Sequence, residues 1–206
     1  MMSRYHFAQI SISFMTRLFW GLKPVYMAKN EIGEGPYFVI SNHTSYFDPP
    51  LIGAFFPPEM LYIAKKELFS IPVLGKIITK YNSIPVDREQ LDLSTIKTIL
   101  RTVREKKISV LIFPEGTRKP QVEFESFKRG AIALAQKLAL PIVPVYISYP
   151  RNKWLAFFRI QPIVLKYGVP IDWMSELDKN PMPDPTTYLL DRVIDAIRQL
   201  MGVTHS

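Results

Sequence analysis

Two short polar motifs contain the side chains best suited to chemistry. The first reads Asn-His-Thr-Ser-Tyr-Phe-Asp over residues 42–48, so the imidazole of His43 precedes the carboxylate of Asp48 by five positions. An imidazole takes up protons near neutral pH, and a carboxylate can orient it and stabilise its charged form. Asp48 also precedes Pro49, where it would cap a following helix, and the two roles are compatible. By itself this His–Asp spacing is a weak signal.

The second motif reads Phe-Pro-Glu-Gly-Thr-Arg over residues 113–118 and follows an apolar run. Gly116 permits a tight turn and a close approach of the backbone to a ligand. Arg118 can hold a phosphate with two parallel hydrogen bonds. Glu115 repels anions, so we expect it to hold an arginine or a backbone N–H in place. The alternative is a surface turn with a Glu–Arg pair.

The composition limits the partners that this chain can take. Its 206 residues are enough for one domain with a full core. A net charge of +8 favours anionic partners, which are nucleic acid, phosphorylated substrates or an anionic bilayer. The basic residues are dispersed and form no recognised nucleic-acid motif, so we expect no nucleic-acid partner. The absence of cysteine excludes a thiolate nucleophile and a cysteine-ligated metal.

The first residues of the chain have the pattern of an amphipathic helix. Phe7, Ile10, Phe14 and Leu18 follow helical spacing, and polar residues share the other side. No run of about 18 uninterrupted apolar residues, as a membrane span requires, is present. We interpret residues 1–23 as a helix lying in a membrane interface. The alternative is a helix packed on the core.

The rest of the chain alternates between strand and helix patterns. Strands are predicted at residues 37–41, 61–64, 83–86, 109–113, 142–147 and 160–166. Helices are predicted at residues 48–54, 65–80 with a break at Pro72, 93–106, 127–138 and 188–201. This alternation predicts an α/β fold with a mainly parallel central sheet flanked by helices, forming a single domain over residues 24–206. Ligands of such sheets bind beyond the carboxyl ends of the strands, where both motifs and Arg88 are expected.

Four ordered blocks carry a family resemblance. The two motifs, together with Ile-Pro-Val-Asp-Arg at residues 84–88 and Leu-Pro-Ile-Val-Pro-Val at residues 140–145, resemble the 1-acylglycerol-3-phosphate acyltransferase family. The resemblance implies the glycerolipid acyltransferase fold and a catalytic pair formed by His43 and Asp48. It also implies a set of residues that bind the substrate phosphate, namely Lys65, Arg88, Glu115, Gly116, Thr117 and Arg118. The chain departs from the family pattern at Asn82 and Lys119, close to this predicted phosphate pocket.

The resemblance implies acyl transfer from acyl-coenzyme A or acyl-carrier protein to the free hydroxyl of 1-acylglycerol 3-phosphate. The product would be phosphatidate, in phospholipid biosynthesis, and neither a cofactor nor a metal is expected. The implied partners are the lysophospholipid acceptor, the acyl donor and a membrane surface. The expected location is a peripheral or monotopic one on the cytoplasmic face of the cell membrane. Two alternatives stay open: another acceptor, such as glycerol 3-phosphate or a different lyso-lipid, or a catalytically silent lipid-binding protein.

Overall fold

A mainly parallel sheet forms the centre of the molecule. The computed structural model describes residues 4–33, 35–87, 92–150 and 161–202. The seven strands found in these ranges are β1 (Val25–Tyr26), β2 (Phe38–Ser41), β3 (Met60–Lys65), β4 (Ser83–Val86), β5 (Ser109–Ile112), β6 (Ile142–Ser148) and β7 (Val164–Tyr167). Their order is β1-β7-β6-β2-β5-β3-β4. Every pairing is parallel except β6 with β7, which is antiparallel. The predicted α/β class and mainly parallel sheet are confirmed.

Helices cover both faces of this sheet. They are α1 (Arg4–Trp20), α2 (Asp48–Phe55), α3 (Leu74–Lys80), α4 (Leu93–Lys106), α5 (Arg129–Leu138), α6 (Trp173–Lys179) and α7 (Pro185–Gly202). On one face, Ile99 of α4, Ile132 of α5 and Ile197 of α7 pack in a single apolar core. On the other face, Ile52 of α2 packs with Leu22 in a second core. Strands covered on both faces need apolar side chains at successive positions, and β2 is buried at all four residues.

The predicted helix at residues 65–80 is wrong in its first part. Strand β3 continues to Lys65 because its backbone pairs with β4 on one side and β5 on the other. A 3₁₀-helix, Lys66–Ser70, follows before α3 begins. The predicted strand at residues 160–166 is found at Val164–Tyr167, and residues 151–160 lie outside the described part. Strand β1 and helix α6 were not predicted.

Helix α1 packs on the domain through a mixed face, on which Tyr5 is buried and Ile12 and Trp20 pack against the second core. Gln9 Nε2 donates to the backbone oxygens of Gly53 at 2.8 Å and Phe56 at 2.7 Å, at the end of α2. Thr16 is buried as well. The opposite side is exposed. On it, Phe7 is 64% exposed and Phe14 is 62% exposed. The predicted apolar face therefore exists, and it points away from the protein. Among the described residues, no helix is both long and apolar enough to cross a membrane.

Candidate active site

The two acid–base residues of the first motif are in direct contact. His43 follows the end of β2, and Asp48 opens α2. The Nδ1 atom of His43 lies 2.8 Å from Asp48 Oδ2. The same oxygen accepts the backbone N–H groups of Thr44 and Ser45, at 2.7 and 2.8 Å. The Asp48 carboxylate thus closes the turn that precedes it. It accepts hydrogen bonds from these two N–H groups and does not cap α2.

The hydrogen bond to Asp48 defines the state of the imidazole. An ionised carboxylate only accepts hydrogen bonds, so a neutral His43 ring carries its proton on Nδ1 and leaves the lone pair of Nε2 free. The ring stacks on Phe113 of the second motif, with centroids 4.0 Å apart and planes at 18°. His43 is 6% exposed, and it forms part of a cavity wall. This arrangement can accept a proton from a hydroxyl group in the cavity.

Glu115 joins the second motif to the first. Its Oε1 accepts the backbone N–H of His43 at 3.0 Å. The backbone N–H of Lys119 in turn donates to the carbonyl oxygen of His43 at 2.8 Å. Of the two roles expected for Glu115, the structure shows the one in which it holds a backbone N–H. Burial raises the pKa of Glu115 to about 7, and its second oxygen is buried without a hydrogen-bond partner in the described part of the chain.

The rest of the second motif forms an exposed turn next to the cavity. Gly116 has a φ of 71°, a backbone conformation that favours glycine. Thr117 and Arg118 are exposed. The guanidinium carbon of Arg118 lies 3.3 Å above the centroid of the Tyr46 ring, so a residue of the first motif supports it. Arg118 and His43 line the same cavity.

The other predicted phosphate ligands have different surroundings. Lys65 is exposed at the end of β3, lines the same cavity as Arg118, and pairs with Glu67 at 2.9 Å. Arg88 lies outside the described residues, so its predicted role stays a prediction.

The cavity beside His43 is large and mainly apolar. Its volume is about 910 Å³. Its apolar walls come from α1, α2, β3 and the segment from Leu68 to Ile78. Inside it, Tyr5 and Tyr62 share a hydrogen bond between their hydroxyl groups at 2.9 Å. Gly53 leaves room for this pair, since a Cβ there would lie 1.8 Å from the Tyr62 hydroxyl oxygen.

Two polar residues that the sequence did not single out complete the site. Asn42 donates to the carbonyl oxygen of Ile147 at 2.8 Å and accepts the N–H of Ile147 at 2.9 Å. The Tyr149 hydroxyl donates to Asp48 Oδ1 at 2.7 Å. Both contacts tie the end of β6 to the first motif. Tyr149 lies two residues beyond the predicted strand at 142–147, where no local pattern marks it.

Comparisons with known proteins agree on one family. Residues 23–148 match the model of the family described as Acyltransferase. The 1-acyl-sn-glycerol-3-phosphate acyltransferase of Bacillus subtilis is 34% identical over 149 residues, which cover 72% of this chain and 73% of that protein. The protein of the same name from Saccharomyces cerevisiae is 35% identical, covering 89% of this chain and 63% of the relative. The protein of the same name from Cocos nucifera is 34% identical, covering 77% of this chain and 54% of the relative.

The chain thus spans about half to two-thirds of the length of several curated relatives. A crystal structure of the 1-acyl-sn-glycerophosphate acyltransferase PlsC from Thermotoga maritima is similar, with a TM-score of 0.65. The sequence identity is 22%, and the match covers 100% of this chain and 86% of the other. At that identity the likeness shows a shared fold.

Proposed function

Because this chain belongs to the acyltransferase family, we propose that it transfers an acyl group from a thioester to the free hydroxyl of 1-acylglycerol 3-phosphate, forming phosphatidate. The family resemblance expected from the four sequence blocks is confirmed. Several relatives are named for this acceptor. The donor is acyl-coenzyme A or an acyl-carrier protein.

The observation that carries the proposal is the pairing of His43 with Asp48 on the wall of an apolar cavity. Nε2 of His43 removes the proton of the acceptor hydroxyl as its oxygen attacks the thioester carbonyl. Asp48 holds the ring in the correct tautomer and stabilises the imidazolium that forms. The carbon–sulfur bond then breaks, the new ester bond remains, and the thiolate takes the proton back from His43. Both substrates are consumed in this single transfer, and the enzyme returns to its starting state.

A covalent acyl-enzyme has no place in this scheme. Two aliphatic hydroxyl residues, Thr44 and Ser45, follow His43 in the first motif. The Oγ1 atom of Thr44 is buried and has no hydrogen-bond partner in the described part of the chain, so no base activates it. The Oγ atom of Ser45 accepts the backbone N–H of Phe47 at 3.2 Å. This contact supports the turn. The nucleophile is therefore the substrate hydroxyl.

Binding of the acceptor phosphate falls to the turn after β5. Gly116 and Thr117 bring backbone close to the ligand, and Arg118 supplies a two-pronged contact. Glu115 acts on this site through the backbone of His43. Lys65 approaches from β3, on the wall of the same cavity. For Arg88, which lies outside the described residues, we propose phosphate binding from the sequence alone. Fixing the phosphate in this way brings the acceptor hydroxyl to His43 and lowers the entropic part of the barrier.

The edge of the cavity matches a bilayer surface. Several apolar side chains are both exposed and part of the cavity lining, and they come from α1, the first motif and the segment around α3: Phe7, Phe47, Ile71, Leu74 and Ile77. Exposed apolar groups gathered at one opening favour contact with lipid tails. The enzyme binds the membrane interface through this edge and through the outward face of α1, which lets acyl chains pass from the bilayer into the cavity.

The test is the release of free thiol from acyl-coenzyme A with and without 1-acylglycerol 3-phosphate, with the lipid product identified. We expect release that depends on the acceptor and a product with the mass of phosphatidate. His43→Ala should abolish it, and Asp48→Asn should lower kcat by orders of magnitude, with folding unchanged. If the protein instead prefers glycerol 3-phosphate or another lyso-lipid, the proposed acceptor is wrong and the proposed chemistry stands. Lipid binding without any thiol release would identify a silent lipid-binding protein.

A further inference from the structure

The carboxylate of Asp48 uses both of its oxygens, and they serve different partners. Oδ2 accepts from the imidazole of His43 and from two backbone N–H groups of the preceding turn. Oδ1 accepts from the hydroxyl of Tyr149 at 2.7 Å. Asp48 itself is fully buried. A buried carboxylate depends on such donors, because it has lost the water that would otherwise solvate it.

Tyr149 is well suited to act as a donor. Burial raises the pKa of its hydroxyl far above its usual range, so the phenol stays protonated and can only donate to a carboxylate. Among the described residues, the titratable groups that face Asp48 are His43, Tyr149 and, at longer range, Glu115. None of them is a fixed cation. Hydrogen bonds are therefore the means by which the negative charge of Asp48 is stabilised here.

The position of Tyr149 is set by the first motif itself. Strand β6 is parallel to β2, so the ends of both strands meet at the same edge of the sheet. Asn42 forms two hydrogen bonds with the backbone of Ile147, at 2.8 and 2.9 Å. Two residues later, Tyr149 reaches the carboxylate. The end of β6 is thus fixed to the residue before His43, and this connection aligns Tyr149 with Asp48.

We propose that Tyr149 is a positioning residue for the acyl transfer, which acts by orienting the Asp48 carboxylate towards His43 and donating a hydrogen bond to its buried Oδ1. The inference rests on the proposed function. Without the hydroxyl, Oδ1 would be buried without a donor, and the carboxylate would be free to rotate away from Nδ1 or to take up a proton. Either change weakens the stabilisation of the imidazolium in the transition state. Substrate binding, which involves other residues, would be little affected.

The variant is Tyr149→Phe, which removes one hydroxyl and keeps the ring. We expect kcat to fall on the order of 10- to 100-fold, since hydrogen bonds to charged groups are the strong ones, with each KM changed less than about twofold. The acidic limb of the kcat–pH profile should also move, because the His43–Asp48 pair takes up a proton differently once Oδ1 has lost its donor.

The matched control is Tyr188→Phe, which also removes a tyrosine–carboxylate hydrogen bond, that to Glu176 at 3.1 Å, at a distance from the site. We expect it to change neither kcat nor the pH profile. A purely structural role for Tyr149 would give a lower Tm with normal kcat per folded molecule and an unmoved acidic limb, and this result would overturn the proposal.

A second measurement does not depend on turnover. The chain has 3 histidines, so the Nδ1–H signal of His43 can be assigned by NMR with the His43→Ala variant. We expect Tyr149→Phe, and not Tyr188→Phe, to speed the exchange of this proton with water by about tenfold or more, because the carboxylate that holds it becomes less fixed. Equal exchange rates in the two variants would refute the role of Tyr149. Absence of acyl transfer by the unaltered protein would instead refute the proposed function.

Discussion

The backbone N–H of His43 donates to the side chain of Glu115, 3.0 Å away, so the two motifs are joined by a buried hydrogen bond. The opposite side of the same residue is held as well, since its carbonyl oxygen accepts the N–H of Lys119 at 2.8 Å. The imidazole therefore stands on a backbone fixed from both sides by the turn that carries Arg118. The geometry of the base and that of the predicted phosphate site are set together.

Replacement of Glu115 by Gln should make the protein more stable at high pH. The pKa of Glu115 is raised from 4.5 to about 7, chiefly by burial, so the folded protein binds this proton more tightly than the unfolded chain. The resulting stabilisation is fully present below pH of about 4.5 and is lost as the pH rises through about 7. A difference of about 2.5 pH units corresponds to about 3 kcal/mol.

Glu115→Gln keeps an oxygen for the N–H of His43 and removes the titration. In urea unfolding, we expect the variant to match the unaltered protein near pH 4.5 and to exceed its unfolding free energy at pH 8 by up to about 3 kcal/mol. Glu125→Gln, at an exposed carboxylate, is the control and should give no such trend. A Glu115→Gln effect of the same size at both pH values would contradict the explanation by burial.

The contacts within each motif could be predicted from the sequence, while those between distant segments could not. His43 and Asp48 are five residues apart, and one turn brings them together, so their pairing was within reach of a local pattern. The contact of Tyr149 with Asp48 joins residues separated by 101 positions. It depends on the parallel pairing of β2 with β6, which no local pattern specifies.

The same limit applies to α1. Its 3.6-residue periodicity shows two faces of different polarity, and this was enough to predict an amphipathic helix. Which face packs on the protein depends on what the helix meets there. In the structure, backbone oxygens at the end of α2 meet Gln9, and these oxygens need hydrogen-bond donors. The face that carries Gln9 therefore turns inwards, a result that the helix sequence alone does not contain.

Binding of the acceptor phosphate by Arg118 should weaken when the guanidinium is replaced or when the Tyr46 ring beneath it is removed. Arg118→Lys keeps the charge and loses the two-pronged contact, so KM for the phosphorylated acceptor should rise while that for the acyl donor stays constant. Tyr46→Ala removes the ring below the guanidinium, and we expect the acceptor KM to rise about 3- to 10-fold.

Phe47→Ala is the matched control for Tyr46→Ala, because the two neighbours are 68% and 66% exposed and only Tyr46 contacts Arg118 in the described structure. With a short-chain, soluble acceptor, membrane contact does not enter the comparison. An increase in the donor KM alone would place Arg118 in the donor site.

The outward face of α1 should be needed for membrane binding and not for folding. Phe14, Leu18 and Phe19 are 62%, 50% and 41% exposed, so their replacement by Ser removes little packing within the protein. We expect the triple variant to sediment less with anionic liposomes and to lose activity on bilayer-embedded acceptor, while keeping more activity on a short-chain acceptor. Unchanged liposome binding with a lower Tm would show that this face belongs to the core.

An exposed residue between Ile71 and Leu74 of the cavity lining offers the sharpest test of membrane contact. Val73 has φ and ψ of 68° and −59°, and Leu74 N donates to Pro72 O at 2.8 Å across it, which together define a γ-turn. This conformation is strained for a β-branched residue. The side chain is nevertheless 68% exposed, so packing within the protein gives little in return.

Val73→Gly should therefore change stability and membrane binding in opposite directions. Glycine adopts this turn without strain, and the relief of about 1–3 kcal/mol exceeds its extra entropy in the unfolded chain, so Tm should rise. Loss of the exposed side chain should weaken binding to anionic liposomes, because less apolar surface enters the lipid. Leu93→Ser is the control. Leu93 is 71% exposed and lies at the start of α4, which packs on the opposite face of the sheet from α1 and α2. Its replacement should leave liposome binding intact. If Val73→Gly raises Tm and binds liposomes as before, the strained turn has no part in membrane contact, and the bilayer must meet the protein through other exposed apolar side chains.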